Sequence, residues 1–218
     1  MKKKVLFFAL CSFFIFGCNL DDPNDYPAVY YDFATIVNPN LTQRFWLERD
    51  NGTRLYTKEI GETAPGQGVP RDGMRVFASY NDLSNNEIRI LGFIEVPIDS
   101  IKEKSENTRN DSYILYFLSH GKNYLNVLHH YYITPSQTSG HKLSLFKVDY
   151  TNADTARLEM LYSNGGDDNG TVRISEAISF DLSSLKEFYH NRDSVRILLN
   201  TYARGTDSLK VYNFSYKF

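Results

Sequence analysis

From Ala28 onward the chain alternates short runs rich in Tyr, Phe, Val, Ile and Thr with clusters of Gly, Asn, Asp and Pro. Residues of the first kind suit a pleated, half-buried strand, and those of the second supply turns. Punctuation this frequent constrains the chain to an all-β fold. Runs are expected at residues 29–37, 43–48, 53–57, 74–80 and 87–98, and then at 113–118, 124–133, 142–150, 155–162, 172–180, 195–202 and 209–218. Composition agrees, with sixteen Tyr and fifteen Phe against one Trp among 218 residues.

Local signals refine this outline. Asp50-Asn51-Gly52 between two runs is expected to form a hairpin, Asn-Gly being suited to a type I′ turn. Residues 61–73 hold four Gly and two Pro and read as a loop. In the run 87–98, Ile88, Ile90, Ile94, Val96 and Ile98 share one parity, and Gly92 between them suggests a barrel-corner bend. Five such strands fit a small, partly closed OB-like barrel over residues 28–101. The polar stretch 102–111 reads as a linker.

Residues 112–218 have the strand spacing of a β-sandwich. Ala156, Leu158, Met160 and Tyr162 share one face. Glu176 falls on the apolar parity of Ile174 and Ile178, which requires either a bulge or a paired carboxylate. The last run changes phase between Val211 and Tyr212, as a bulge would make it do. Ser184 and Glu187 have the spacing of a helical capping box.

The first eighteen residues are of another kind. Lys2, Lys3 and Lys4 precede a largely apolar stretch at residues 5–16, then Gly17 and Cys18, the layout of a secretory leader. Twelve residues at 1.5 Å each make a helix of about 18 Å, short of a ~30 Å hydrocarbon core. Ile15-Phe16-Gly17-Cys18 resembles a lipobox, the bacterial lipoprotein signal. That resemblance implies cleavage between Gly17 and Cys18, removal of residues 1–17, and lipidation of Cys18, which anchors the chain in a membrane. Residues 18–27 read as an acidic tether, and Asp21-Asp22 resembles the surface-export signal of Bacteroidetes lipoproteins. The destination expected from it is the outer membrane, with the domains facing the cell exterior.

Without Lys2, Lys3 and Lys4, 21 basic residues face 26 acidic ones, a net charge of −5. With no basic stripe, the chain is no candidate for binding nucleic acid. Cys11 leaves with the leader, so the mature chain has neither a disulfide framework nor a cysteine metal site.

Asp72-Gly73-Met74-Arg75-Val76, Gly140-His141-Lys142-Leu143-Ser144-Leu145 and Ser179-Phe180-Asp181-Leu182-Ser183, with the leader and tether, resemble the NigD-like lipoproteins of Bacteroidetes. The resemblance implies an N-terminal OB-like domain and a C-terminal β-sandwich. It implies no reaction, the family name coming from a gene linked to bacteriocin production or immunity.

Chemistry is sparse. His129 and His130 are adjacent in a run and point to opposite faces, whereas His120 and His129 could approach one another across neighbouring strands. Asn164-Gly165-Gly166-Asp167-Asp168-Asn169-Gly170 offers hard-cation oxygens, yet a Gly/Asp/Asn-rich hairpin loop explains every residue. There is no nucleophile elbow and no phosphate-binding loop. No catalytic, cofactor-binding or metal-ligating residue is therefore assigned. Tyr26, Tyr30, Tyr31, Phe45, Trp46, Tyr131 and Tyr132 are candidates for a stacking surface, with core packing as the plainer role. The triplets at Asp99, Asp154, Asp193 and Asp207 resemble O-glycosylation acceptors. Together these readings lead to a non-enzymatic, surface-exposed lipoprotein that binds or protects, with bacteriocin immunity as its specific form. The alternatives are a glycan-binding accessory protein of nutrient uptake and a hydrolase using carboxylates or histidine.

Overall fold

The computed structural model describes residues 27–39, 44–60, 69–105, 108, 110–137, 139–152, 154–202 and 209–218, without the side chains of residues 60 and 149–152. Gly17, Cys18, Asp21, Asp22, Tyr26 and most of the loop at 61–73 lie outside the described residues. No helix among the described residues is long and apolar enough to cross a membrane.

Strands β1 (Val29–Val37), β2 (Trp46–Arg49), β3 (Arg54–Ile60), β4 (Arg75–Ser84) and β5 (Glu87–Glu95) close a barrel in the order β1-β2-β3-β5-β4. The β3–β5 pairing is parallel and the others are antiparallel. Its core holds Ala34, Ile36, Phe45, Leu47, Val76, Tyr80, Ile88, Ile90 and Phe93.

The remaining strands are β6 (Ile98–Glu103), β7 (Ile114–Gly121), β8 (Tyr124–Ile133), β9 (His141–Asn152), β10 (Thr155–Asn164), β11 (Val172–Asp181), β12 (Ser194–Tyr202) and β13 (Leu209–Lys217). They form one sheet, β13-β12-β10-β9-β6-β11-β8-β7, folded over as a sandwich. β6 is the fold line: Ile98 to Ser100 pair with β11, and Ile101 to Glu103 pair with β9. The two inner faces meet in a core that includes Leu125, Val127, Leu145, Leu158, Met160, Phe180, Ile197 and Leu199.

The all-β architecture of OB-type barrel and sandwich is as expected; several local features are not. The run 87–98 is two strands, and it does not keep one parity. Ser79 pairs with Gly92 and Tyr80 with Ile90, so Leu91 is an extra residue. This bulge reverses the alternation: Phe93 turns into the core and Ile94 turns out, 54% exposed. Lys102 and Glu103 lie in β6, where a linker is expected.

The turn at Asp50-Asn51-Gly52 is not type I′. Only Gly52 has positive φ (84°), and Gly52 N donates to Arg49 O at 2.9 Å, which gives a three-residue loop. The two-residue turn with positive φ at both positions is Asn85-Asn86, joining β4 to β5 (51° and 62°). β13 pairs with β12 from Leu209 to Lys217 without interruption. No bulge separates Val211 from Tyr212; Val211 simply faces outward and is exposed. Ser184 precedes α1 (Leu185–Phe188) but makes no side-chain cap bond, and the turn is instead held by Asp181 Oδ1, which accepts from Ser183 N at 2.8 Å.

Candidate functional site

Two polar clusters are built into these apolar layers. The first joins the barrel to the sandwich. Arg75, at the start of β4, has a side chain only 1% exposed. Its Nη1 and Nη2 donate to Asp50 Oδ1 and Oδ2 at 2.7 and 2.6 Å, a bidentate pair within the barrel. Nη1 also reaches Thr35 Oγ1 of β1 at 3.4 Å, and two donors cross to the other domain: Nη2 reaches Asn126 Oδ1 of β8 at 2.7 Å, and Nε reaches Ser179 Oγ of β11 at 3.2 Å. Asn126 Nδ2 donates to Asp50 Oδ2 at 2.5 Å and Ser179 Oγ to Asn126 Oδ1 at 2.8 Å, so the circuit closes. The guanidinium lies 4.4 Å from the centre of the Tyr124 ring. Gly121 makes room for the Asp50 turn, since a Cβ there would sit 2.8 Å from Asp50 Cβ. Around this network Phe33, Val96 and Ala177, with Phe77 and Leu128, form an apolar seam.

The second cluster fills one end of the sandwich. Glu176 does lie on the inner face of β11, opposite His129, in unbroken register with β8. It is paired and not bulged. His129 Nε2 stands 3.6 Å from Glu176 Oε2, too far for a firm hydrogen bond. His129 is fully buried, and loss of hydration pushes its pKa down to about 4. Burial pushes the Glu176 carboxyl up. Both groups are therefore driven toward their neutral forms. Tyr131 stacks on His129 on one side and His141 on the other, at ring-centre distances of 5.5 and 5.1 Å. His141 Nδ1 is 2.6 Å from Tyr162 Oη, and its Nε2 is 3.4 Å from Asp167 Oδ2. Asp167 accepts from Thr134 Oγ1 at 2.7 Å and from Thr134 N at 2.5 Å, bonds that hold its pKa below the usual carboxylate range.

Beside this cluster opens a cleft of about 430 Å³ lined by Asn110, Asp111, Tyr132, Tyr162, Asp168 and Gly170, among others. Gly170 lies so close to the Tyr132 carbonyl that a Cβ would collide with it. Gly140 and Gly165, both at positive φ, pack against each other at the loop bases. The polar groups of the cleft are largely committed to one another. Asp111 Oδ2 accepts from Asn164 N at 2.9 Å, and Asp168 Oδ1 from Asn164 Nδ2 at 2.9 Å.

His120 and His129 do not meet. His120 pairs across the strands with Leu125, and its ring stacks on Phe214 at 4.3 Å, whereas His129 pairs with Leu115. His130 faces the other side of the sheet, against Tyr116. No group of three or more His, Cys, Asp or Glu among the described residues is arranged to hold a metal ion. Of the aromatic candidates, Phe45 is core, Trp46 leans on Tyr56, Tyr30 and Tyr31 are exposed, Tyr131 belongs to the buried stack and Tyr132 lines the cleft. Among the glycosylation-like triplets, Thr155 is buried and Ser100 exposed. Sequence reasoning missed the Arg75 junction, although Arg75 and Ser179 both stand in the stretches that carry the family resemblance.

A five-stranded OB-type barrel locked to a folded-over β-sandwich defines the class of protein. The profile of the NigD-like C-terminal beta sandwich domain matches residues 96–216, more than half of the chain. The chain belongs to the NigD-like family. Solved structures share the fold: a protein of unknown function from Bacteroides vulgatus (22% identity, TM-score 0.66, 88% of this chain and 92% of that one) and a NigD-like immunity protein from Bacteroides caccae (16%, 0.62, 88% and 98%). A Bacteroides fragilis protein provisionally named a lipoprotein is similar over 88% of this chain and 98% of its own (11%, 0.53). No curated protein matches.

Proposed function

We propose that this chain is a non-catalytic binding module of the cell envelope, anchored through lipid on Cys18 and directed to the outer face of the outer membrane by Asp21 and Asp22. One observation supports the non-catalytic part: the ionisable groups at the sandwich end are engaged in holding the end together. His141 is engaged by Tyr162, Asp167 by Thr134 and Asp111 by Asn164, while His129 is sealed in neutral form. A general base needs a free lone pair within reach of a substrate proton; the two imidazoles are tied or sealed inside the fold, and the carboxylates, which keep further lone pairs for hydrogen bonding, serve as loop braces. What remains is a preformed polar hollow with tyrosine faces, which suits recognition.

Protection against a bacteriocin-like toxin is the specific form that the neighbour named an immunity protein supports. Deletion of the gene is expected to sensitise cells to a co-resident toxin, with resistance restored by the wild-type gene and not by Asp111→Ala/Asp168→Ala. Unchanged resistance to every co-resident toxin sinks that form. The lining of Tyr132, Asn110, Asp111 and Asp168 also supports a glycan ligand, because planar polar groups beside an aromatic ring match sugar hydroxyls and C–H faces. Binding of the purified chain on a glycan array would favour that reading. Turnover of chromogenic ester, phosphate or glycoside substrates, abolished by His141→Gln, would overturn the non-catalytic one. Retention of Cys18→Ser in the membrane fraction as mature protein would overturn the lipid anchor.

A further inference from the structure

Two irregularities in different domains deliver apolar side chains to one surface. The bulge at Leu91 turns Ile94 outward beside Phe77, its cross-strand partner. The register shift between Leu115 and Phe117 puts Tyr116 and Phe117 together on the outer face of β7. Ring contacts join these across the seam: Tyr31 to Phe77 at 6.1 Å, Phe77 to Phe33 at 4.9 Å and Phe33 to Phe117 at 6.2 Å. Phe33 is buried, but Tyr31 is 62% exposed and Tyr116 70% exposed. A continuous apolar shelf therefore crosses the junction between the domains. Strand bulges are built features that aim side chains, and a shelf of this kind marks a surface with a partner.

The chain itself indicates which partner. The shelf begins at Val29 and Tyr31, at the start of β1. Cys18 lies only eleven residues before Val29. Fully extended, that stretch spans at most roughly 40 Å. A lipid on Cys18 thus holds Tyr31 close to a bilayer, at an effective concentration on the order of millimolar, where weak apolar contacts become populated. Tyrosine, with an apolar body and a polar tip, is suited to the headgroup level.

We infer that the Tyr31–Phe77–Phe117–Tyr116 shelf with Ile94 is a membrane-contact face on which the anchored protein lies. This rests on the lipid-anchor reading of Cys18. Tyr132 of the cleft follows His130, the ring partner of Tyr116, by two residues on β8. Docking through the shelf therefore brings the cleft to the bilayer surface, where its ligand is met.

The test couples the mature chain, through Cys18 as its one thiol, to a maleimide lipid in phosphatidylcholine/phosphatidylethanolamine vesicles. Hydroxyl-radical footprinting then compares it with the uncoupled chain. Oxidation of Tyr31, Tyr116 and Phe117 is expected to fall about threefold or more on vesicles. Phe188, exposed beside Lys147 on β9, is expected to keep its rate. In Tyr31→Ser/Tyr116→Ser, both positions being exposed and tolerant, Phe117 should return to its uncoupled rate. Equal rates on and off vesicles, equal protection of Phe188, or protection that appears only when an envelope protein fraction is added overturns the proposal; the last result makes the shelf a protein-docking face. Chemical coupling supplies the lipid whether or not cells do, so failure of the native anchor, read from fractionation of Cys18→Ser, is a separate result.

Discussion

The two buried polar clusters use similar side chains to opposite ends. At the junction, one guanidinium is matched by one carboxylate and three neutral acceptors, Asn126, Ser179 and the more distant Thr35. At the sandwich end, His129 and Glu176 face each other too far apart for a firm bond, and both are driven toward neutrality. A permanent charge with a complete set of partners makes a fixed joint. Titratable groups with incomplete ones make an end whose stability depends on pH.

The largest effect is expected from the joint. Arg75→Met leaves Asp50 without its counter-ion and should lower the unfolding free energy by ~3–5 kcal/mol, read from urea titration. Adding Asp50→Leu should recover much of that loss, because an apolar pair replaces the stranded charge. A loss under about 1 kcal/mol for the single variant would erase the distinction between the clusters.

The next effect belongs to the other side. His129 takes up its proton near pH 6.5 when unfolded but only near 4 when folded. Between those values the unfolded chain binds more protons, so stability falls as pH drops through that window, by roughly 3 kcal/mol in all. His129→Phe should flatten this limb in denaturation midpoints taken from pH 7 to pH 4. Glu176, with its pKa raised on folding, acts in the opposite sense above 4.5. Glu176→Gln should therefore steepen the His129 limb. Smaller still, Tyr162→Phe strips His141 Nδ1 of its partner and should cost ~1–2 kcal/mol. A thermal shift within error would mean that water replaces the hydroxyl.

The smallest contrast concerns a turn. Asp181→Ala removes the bond to Ser183 N and should cost ~0.5–1 kcal/mol. Ser184→Ala, at the position whose side chain bonds nothing in the turn, should stay within about 0.5 kcal/mol of wild type. Equal effects in chemical denaturation would show that Ser184 caps after all.

Where side-chain parity acts alone, the sequence was a sufficient guide. Ala156, Leu158, Met160 and Tyr162 line the core as alternation requires, and Glu176 was legible as an inward carboxylate in need of a partner. What alternation cannot reveal is a single extra residue, because the side chains on either side of it still look regular. Leu91 is such a residue, and it makes Ile94 surface and Phe93 core. The type I′ turn was misplaced because Asn-Gly is the stronger local signal, yet Asp50 is committed to Arg75 and its loop takes another form. Of the site residues, His141 and Asp167 stood in conspicuous stretches. The joint was invisible because its members lie 51 and 104 positions from Arg75 along the chain, and no local rule spans that distance.

The position of β6 has a consequence for how the molecule comes into being. A polypeptide emerges from its N-terminus, so the five barrel strands have all their mutual partners early. β6 emerges next, but its two partners, β9 and β11, come later in the chain. Until they arrive, β6 has nothing to pair with in the sandwich, and the barrel's half of the apolar seam, Phe33 and Val96, lacks Ala177 to cover it. The nascent protein is thus a finished barrel carrying a sticky flank. How quickly that flank is covered depends on delivery of β8 and β11, which carry Leu128 and Ala177, a slow step for pairings so distant in sequence.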